Sequence, residues 1–549
     1  MLTALPAMLW GQTKNSIEIK QAKELTYEEV GGERIRRLIG DVILQQEDVL
    51  LYCDSALLFG GSKLAKAYGR VRIIQEGKFN ARSRYLEYDG QTKETLLRTE
   101  VFLTDGEMTL TTDELFYNTN TKISRYYKGA VIRNEESTLK SMRGTYDSNI
   151  KQFYFRQKVS LRHPDFSLDA DTLHYNNLSE KADFFGPTDI ISERTVTYTE
   201  GGWYKSKSKE SFLTKNGRVI IDKQQFIAAD TIYFDEEKEN GYCIGAAQMI
   251  DTVERTEIRG GYTFFDRKKN TNLVYHFPIL INFGDVDTMY LTADTIYQYK
   301  IADTASVLRA WHDAVIERAD LLVSCDSLTY EEADSVFRLF EAPIIWSDEF
   351  QISAEYMELF TIGRDFDRLE MYRDGFLVKQ EDSVRFSQIK GKDITAYFID
   401  RQIGRMDVHG NGESIYYVER DDHSFMGANK IESSDITIHL ENNRPVEIAF
   451  FVKPNAVLYP IDQVNPYEFR LKGFFWAEDR KTHVVQRMAE AFSCSPERGL
   501  YALTRPQNLP ANLPLPEPTV TPLEFQINPL AEPQLSPEEF QLPDNQRRR

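Results

Sequence analysis

The sequence is poor in cysteine and histidine, and both residue types are scattered along the chain. Its four cysteines, Cys53, Cys243, Cys325 and Cys494, never form a CxxC pair. This spacing argues against a structural zinc site and against a disulfide framework. The eight histidines show no pair at metal-ligand spacing. We therefore expect neither a bound metal nor another cofactor.

Long apolar runs and excess positive charge are also missing. No run of 18 or more apolar residues follows the amino terminus, so the sequence predicts no helical membrane span. Lysine and arginine number 66 against 85 aspartate and glutamate residues, which gives a formal net charge of −19 at pH 7. No nucleic-acid partner is expected, because binding phosphates needs a concentrated basic surface.

Recognisable catalytic motifs are not found either. The sequence contains no GxSxG elbow, no P-loop and no GxGxxG after a predicted strand. Carboxylates are abundant, but no pair is singled out as the acid and base of a glycosidase. We therefore predict a protein that is not an enzyme, with a polysaccharide-processing enzyme on a β-scaffold as an alternative.

The two ends of the chain differ from its middle. Residues 1–12, MLTALPAMLWGQ, resemble the apolar end of a secretory signal peptide whose basic start is missing. Residues 505–549 are rich in proline, a composition that cannot bury enough apolar surface to fold, so this tail is predicted to be disordered. The signal remnant predicts export across the inner membrane.

The middle of the chain is built from a repeat of about 29 residues. The aromatic residues Tyr88, Tyr117, Tyr146 and Tyr175 follow one another at a spacing of 29. Turns rich in Asn, Asp and Gly, each ending in a lysine, recur at nearly the same spacing. Short strands centred on valine recur at that spacing as well. Strands of 5 to 9 residues separated by such turns predict antiparallel β-structure throughout.

Each repeat carries an aspartate at which the apolar pattern changes parity. In LTTDELFYN, Leu110 and Thr112 precede Asp113 on one face, whereas Leu115 and Tyr117 follow it with the opposite parity. Side chains alternate strictly along a strand, so a bulge or a corner between two facing sheets is needed here. The predicted corner residues, whose carboxylates would cap main-chain N–H groups, are Asp113, Asp171, Asp230, Asp294 and Asp326.

These repeats resemble the OstA-like family of lipopolysaccharide-transport proteins. The resemblance rests on the repeated Gly-x-Val strand, the L-x-A-D-x-L-x-Y strand and the Asn/Asp turn, and it is clearest over residues 33–250. It implies an all-β fold, an elongated antiparallel β-jellyroll that forms a V-shaped trough. It also implies a periplasmic carrier that shields the acyl chains of lipopolysaccharide, or of a related glycolipid, during transport to the outer membrane.

The resemblance further implies which residues line the trough and how partners dock. The candidate lining residues are Val42, Leu44, Val71, Ile73, Val101, Leu103, Leu115, Val159, Leu161 and Leu173, although ordinary core packing would explain each of them as well. Other trough-bearing transport proteins are expected to add to the open sheet edges by strand pairing. An extracellular β-solenoid with a structural or glycan-binding role is a further alternative.

The repeats suggest a division of the chain into segments. A first OstA-like jellyroll segment is predicted over residues 13–195 and a second, more diverged one over 196–462, because the repeat spacing is lost near residues 195–215. A terminal strand at GFFW (473–476) and a short helix, together within residues 463–504, are expected to cap the last sheet edge.

Overall fold

The computed structural model describes residues 17–76, 79–284, 287–301, 305–347, 349–363, 365–420, 422, 424–441 and 444–495. All of these residues belong to one compact unit that spans residues 1–503. The predicted signal-peptide remnant (1–12) and the predicted disordered tail (505–549) lie outside the described residues.

The described residues form 36 strands, one 3₁₀ helix and one α-helix. The first eighteen strands are β1 Glu18–Gln21, β2 Glu24–Val30, β3 Glu33–Gln46, β4 Val49–Phe59, β5 Leu64–Gln75, β6 Phe79–Asp89, β7 Glu94–Thr104, β8 Thr109–Asn118, β9 Ile123–Tyr126, β10 Ala130–Arg133, β11 Thr138–Ser141, β12 Arg143–Asp147, β13 Gln152–Arg162, β14 Phe166–Asn176, β15 Lys181–Ser192, β16 Thr195–Lys205, β17 Glu210–Ile221 and β18 Gln225–Asp235. The others are β19 Asn240–Asp251, β20 Thr256–Asp266, β21 Thr271–Tyr275, β22 Ile279–Phe283, β23 Thr288–Thr292, β24 Thr295–Ile301, β25 Ala305–Arg318, β26 Leu321–Glu331, β27 Val336–Phe340, β28 Ile344–Ser347, β29 Phe350–Ser353, β30 Tyr356–Ile362, β31 Asp365–Gln380, β32 Phe386–Ile399, β33 Gln402–Glu419, β34 Phe425–Glu441, β35 Arg444–Phe451 and β36 Asn455–Pro460. The 3₁₀ helix is Ile461–Gln463 and the α-helix, α1, is Glu478–Cys494.

Neighbouring strands in the chain are mostly neighbours in the sheet. Within the described ranges every strand pair is antiparallel, and hydrogen bonds link all 36 strands into one continuous sheet. A β-solenoid built from parallel rungs is therefore not the architecture of this part of the chain. The predicted fold class, an all-β antiparallel jellyroll, is confirmed.

Many long strands bend sharply near the middle, and the bends repeat along the sequence. In β7 the bend consists of Thr99 and Glu100, whose φ angles are +64° and +51°, while the partner strand β8 passes them with Asp113. Residues with positive φ begin such bends at Gly40, Gly69, Thr99, Gly129, Gln157, Gly186, Lys215 and Gly245. Because successive bends are 28 to 30 residues apart, the repeat inferred from the sequence is a structural repeat.

One glycine shows why the bends restrict the sequence. Gly69 has φ +93°, and a Cβ placed on it would lie 2.7 Å from the Cβ of Asp54 on the neighbouring strand β4. The Asp54 carboxylate accepts hydrogen bonds from the N–H of Arg70 at 3.0 Å and from the Arg70 Nε at 2.9 Å. The bend thus brings two main chains together around one aspartate, and only glycine fits opposite it.

The repeat continues through the region where its sequence signature fades. Strands β16 and β17 pair with each other over their full length, from Thr195 opposite Ile221 to Lys205 opposite Glu210. The bend at Lys215–Asn216 and the turn residue Lys209 keep the usual spacing. The signature fades because the residue two positions after the bend is Gly217 here, where the earlier repeats have a valine such as Val71 or Val101. The division of the chain at residue 195 stays a prediction.

Bending brings the two halves of each strand face to face, and the core lies between them. Val42 and Val71, which follow their bends, pack with Leu38 and Leu86 from the opposite halves in one apolar cluster. Similar clusters follow along the sheet, and the largest spans residues 258–440. The face between the halves is called the interior below, and the opposite face of the sheet is called the outer face.

The carboxyl-terminal segment differs from its prediction in two ways. Residues 464–477 form turns and irregular backbone, so the terminal strand expected at Gly473–Trp476 is not formed. The α-helix is present, but it packs on the outer face against residues such as Val315 and Trp346 rather than along the last strand. Strands β22, β25 and β28 carry apolar side chains on both faces, and the helix covers those on the outer face.

Candidate functional site

The ten predicted lining residues all contribute to the interior of the amino-terminal part. Val42, Leu44, Val71, Ile73, Val101 and Leu115 belong to one buried cluster, against which Leu103 packs; Val159 and Leu173 belong to the next, against which Leu161 packs. Val101 is 0% exposed and Leu173 is 2% exposed, whereas Leu103 and Leu161 are half-buried. The structure thus places all ten in two successive apolar clusters of the interior, and their role in binding stays a prediction.

Two cysteine side chains of the interior behave as apolar groups. Cys53 and Cys325 lie in interior clusters at equivalent places in their strands, directly before the aspartate at the bend. Burial raises the pKa of each thiol to about 12, so both are neutral at physiological pH. They act as small apolar side chains.

Tyr126 is a buried polar member of the first interior cluster. Its ring extends into space that Gly144 leaves open, since a Cβ on Gly144 would overlap the ring. Its hydroxyl group lies 2.5 Å from the Oγ of Ser141, and burial raises the pKa of the phenol to about 12. The tyrosine is therefore neutral and hydrogen-bonded within the interior.

A cleft lies at the bends beside Ser141, on the outer face. It has a volume of about 600 Å³ and is lined by Thr111, Val131 and Lys140, which pair across β8, β10 and β11, and by bend residues such as Met142 and Lys158. Val101 and Ala130 also border it, but both are buried. Lysine side chains and the carboxylates of Glu100 and Asp113 thus line one opening.

The predicted corner aspartates lie at or beside the bends. Asp171 accepts a hydrogen bond from the Thr172 hydroxyl at 3.2 Å, Asp294 from Arg487 at 2.6 Å, and Asp326 lies 3.1 Å from the His312 Nδ1. Asp113 lines the cleft, and Asp230 packs beneath Gly245. Asp54, Asp393 and Asp435 accept hydrogen bonds from main-chain N–H groups at bends, and the capping role of the five predicted aspartates stays a prediction.

The segment after the last strand binds the outer face through buried glutamines that the sequence reasoning missed. Gln388 accepts a hydrogen bond from Leu471 N at 2.8 Å and donates one to Phe469 O at 3.3 Å. Gln351 makes the same pair of bonds, to Ala477 N at 2.8 Å and Phe475 O at 3.0 Å. Residues 464–495 are called the strap below.

A sequence signal for the strap did exist. Several strands under it carry consecutive apolar residues: Ile279–Ile281, Ile344–Trp346 and Phe376–Val378. In each run the middle residue faces the interior, whereas its two neighbours face the strap. Such runs are typical of a sheet covered on both faces, in contrast to the alternation seen in β5 and β6.

Both edges of the sheet are accessible in the described part of the chain. Strands β1 and β2 pair with β3, and β2 is exposed along its whole length, with Tyr27 73% exposed. At the other edge, β35 and β36 pair with β34 and carry the exposed apolar residues Val446 and Leu458. Each edge thus presents main-chain groups and apolar side chains to solvent.

No group of three or more His, Cys, Asp or Glu side chains among the described residues could hold a metal ion. No helix among those residues is long and apolar enough to cross a membrane.

Comparison with known proteins agrees with the repeats. No curated protein matches the chain. One similar solved structure is that of LptH, described as the LptA-homologous periplasmic component of the lipopolysaccharide transport device of Pseudomonas aeruginosa. The two share 11% identity with a TM-score of 0.19, over 20% of this chain and 81% of that one. Residues 14–171 match the family model described as OstA-like protein, so the resemblance indicated by the repeats is confirmed and this part of the chain is OstA-like.

Proposed function

We propose that the chain is a periplasmic carrier that holds the acyl chains of lipopolysaccharide, or of a related glycolipid, between the two halves of its strands. The observation that carries the proposal is the apolar interior, whose first two clusters include all ten predicted lining residues, nine of them within the residues 14–171 that match the OstA-like model. Acyl chains gain free energy when their surface leaves water, and an interior of Val, Leu and Ala side chains supplies such an environment.

Loading requires the two halves to separate. Lining residues such as Val42 and Val101 are 0% exposed, so their mutual contacts must be exchanged for contacts with the lipid. The half-buried residues Leu103 and Leu161 support the amino-terminal part as the place where this happens, because they face the interior and are partly exposed to solvent. The part under the strap is covered on both faces, which favours a structural role for it.

Site-specific photo-crosslinking tests the proposal. A photoreactive amino acid would replace Leu103 or Leu161, which are half-buried and face the interior. The control positions are Phe102, whose ring contacts Arg82 on the outer face, and Ser160, the neighbour of Leu161. In cells that make lipopolysaccharide, we expect glycolipid adducts at the two leucine positions and not at the controls. Equal labelling at both sets would contradict the proposal.

We further propose that partners dock by strand addition at the sheet edges. The exposed strand β2 and the exposed strand β36 each offer main-chain hydrogen-bonding groups to a second trough-bearing protein. Replacement of Ile19, which pairs with Leu44, by proline would interrupt the first edge. We expect Ile19→Pro to weaken binding to membrane partners in co-purification experiments, whereas unchanged binding would contradict docking at this edge.

A further inference from the structure

A row of tyrosines runs along one free edge of the interior. The bends join the two halves of each strand, so the turns mark the edges at which the halves are not joined. Each tyrosine is the last residue but one of its strand and therefore lies beside a turn. The five follow one another at a spacing of 29 residues and are called the tyrosine row below: Tyr88, Tyr117, Tyr146, Tyr175 and Tyr204.

The rings of the tyrosine row face the interior, and their hydroxyl groups border solvent. Tyr88 packs against the first interior cluster, and the last three members pack against the second. Tyr117 lies two residues after the buried Leu115 and thus on the same face of β8. All five tyrosines are half-buried. Among the described residues none of their hydroxyl groups has a hydrogen-bond partner, and none is fully buried. Tyrosine is typical of such boundaries between an apolar region and water.

Small side chains separate the rings of the tyrosine row. Tyr88 and Tyr117 both lie opposite Thr95, and Tyr117 and Tyr146 both lie opposite Ser124. Successive tyrosines are therefore two strands apart, which is about 10 Å at the usual spacing between strands. Gaps one strand wide, called the slots below, lie between two rings at Thr95, Ser124 and Ala182.

A fourth gap in the row is filled. Phe153 lies opposite both Tyr146 and Tyr175, and its ring stacks on that of Tyr146 with the centroids 4.2 Å apart. The row is closed at this place. An aromatic side chain in a slot is thus compatible with the fold.

Lysines border the tyrosine row at the same edge. The turns that follow its first three members end on Lys93, Lys122 and Lys151, each with a φ between +55° and +64°. None of the three forms an ion pair with another described residue, although the chain has a formal net charge of −19. The carboxylate of Asp89, which begins the first of these turns, accepts hydrogen bonds from two N–H groups of its own turn. Unpaired cationic groups and hydroxyl groups thus lie along one edge, and both bind negatively charged oxygen atoms.

We propose that the tyrosine row is the boundary at which a lipid with an anionic head group enters the interior. The acyl chains pass between the rings at the slots, and the tyrosine hydroxyls and the three lysines bind the charged oxygens of the head group. The opposite free edge carries apolar side chains such as Leu103, Leu161 and Phe166, which suit the chains rather than the head group. This inference rests on the proposed carrier function and adds the edge and the residues that orient the lipid.

Filling the slots tests the path of the acyl chains. Thr95→Phe with Ser124→Phe fills two neighbouring slots, as Phe153 fills the fourth gap. The matched control is Glu94→Phe with Arg125→Phe, which puts the same two rings on the exposed outer face of the same strands. Thermal unfolding verifies that each variant of the full chain is folded.

The readout is the yield of glycolipid adducts at a photoreactive amino acid in the interior. Leu103 packs against the first cluster, beside the two filled slots, whereas Leu161 packs against the second, as does Ala182 of the remaining slot. We expect the slot-filling variant to lower the yield at Leu103 about fivefold or more and to lower that at Leu161 much less. The control variant should leave both yields unchanged.

Removal of hydroxyl groups tests the contact with the head group. Tyr88→Phe with Tyr117→Phe preserves both rings, and Tyr154→Phe is the control, because Tyr154 lies on the outer face between the interior residues Phe153 and Phe155. The probes are lipid A, which is acylated and phosphorylated, and 1-hexadecanol, a neutral single chain. We expect the affinity of the purified full chain for lipid A to fall about fivefold or more and that for 1-hexadecanol to stay unchanged.

The outcomes separate this inference from the carrier function. A parent protein that forms no adduct at Leu103 or Leu161 would contradict the carrier function and, with it, the inference. Adducts on the parent that slot filling does not reduce would contradict the inference alone. So would an affinity for lipid A that the two phenylalanines leave unchanged, or an equal loss for both probes. If the slot-filling variant does not fold, the hydroxyl variants decide, because they preserve the packing.

Discussion

The side-chain amide of Gln351 accepts a hydrogen bond from the main-chain nitrogen of Ala477, 126 residues further along the chain, at 2.8 Å. Gln351 is 0% exposed, so no water competes for this contact. The bond fixes the start of α1 on the outer face of the sheet. Together with Gln388 it makes the strap a part of the jellyroll rather than a cap on its last edge.

Gln351→Ala should loosen the strap. The substitution leaves the N–H of Ala477 and the C=O of Phe475 without their partner in a buried place, at a cost of about 2–4 kcal/mol. Chemical unfolding measures the loss, and faster hydrogen exchange in α1 localises it. The matched control is Gln91→Ala, an exposed glutamine bonded to Ser62 O, which should change stability little. Equal effects of the two variants would contradict the role given to Gln351.

Gly69→Ala should lower the free energy of unfolding more than Gly106→Ala does. Both glycines have a similar positive φ, +93° and +99°. Alanine at either position has backbone strain of about 1–2 kcal/mol. At Gly69 the added Cβ also meets Asp54, which adds about 1–3 kcal/mol of overpacking, whereas the space at Gly106 is open. Thermal unfolding of the two variants compares the costs, and a smaller loss at Gly69 would be inconsistent with the bend geometry.

A charge in the interior should have an effect that depends on how far the position is exposed. Leu173→Glu puts a carboxylate in a closed cluster and should destabilise the fold by at least about 3 kcal/mol. Leu103→Asp lies at a half-buried position, where the carboxylate can turn to solvent, so a cost of about 1–2 kcal/mol is expected. Urea unfolding measures both costs, and glycolipid crosslinking at Leu161 should fall in the Leu103→Asp protein while it remains folded.

His174 should make the protein less stable at mildly acidic pH. Burial, with a further contribution from Arg156, lowers the pKa of the imidazole, and its Nε2 is buried without a hydrogen-bond partner. Because the folded pKa lies below the unfolded one, the stabilisation is present above the unfolded pKa and is lost as the pH falls through the folded one. His174→Phe, which preserves the packing on Tyr154 and Phe185, should reduce the loss of unfolding free energy between pH 7 and pH 5. An unchanged pH profile would contradict this assignment.

The repeat could be predicted from the sequence because its signals are local. Residues within one repeat, such as Asp54 and Gly69, meet at a bend. The parity change at Asp113 requires a corner, whichever residues surround it in the fold. The path of the strap could not be predicted in the same way. Its position depends on contacts between residues more than 80 positions apart, such as Gln388 and Leu471, and on apolar residues that face both sides of a strand. The consecutive apolar run Ile344–Trp346 indicates a covered sheet but does not say which segment covers it.

Native mass spectrometry tests the carrier function most directly. The full chain would be purified in mild detergent from membranes of cells that make lipopolysaccharide, beside the Leu103→Asp variant prepared in the same way. The proposed function predicts a bound species with the mass of a lipid A-bearing glycolipid on the parent protein, released when the detergent is made harsher, and much less of it on the variant. A parent protein that is free of lipid, or equal lipid on both proteins, would contradict the proposal that the interior carries acyl chains.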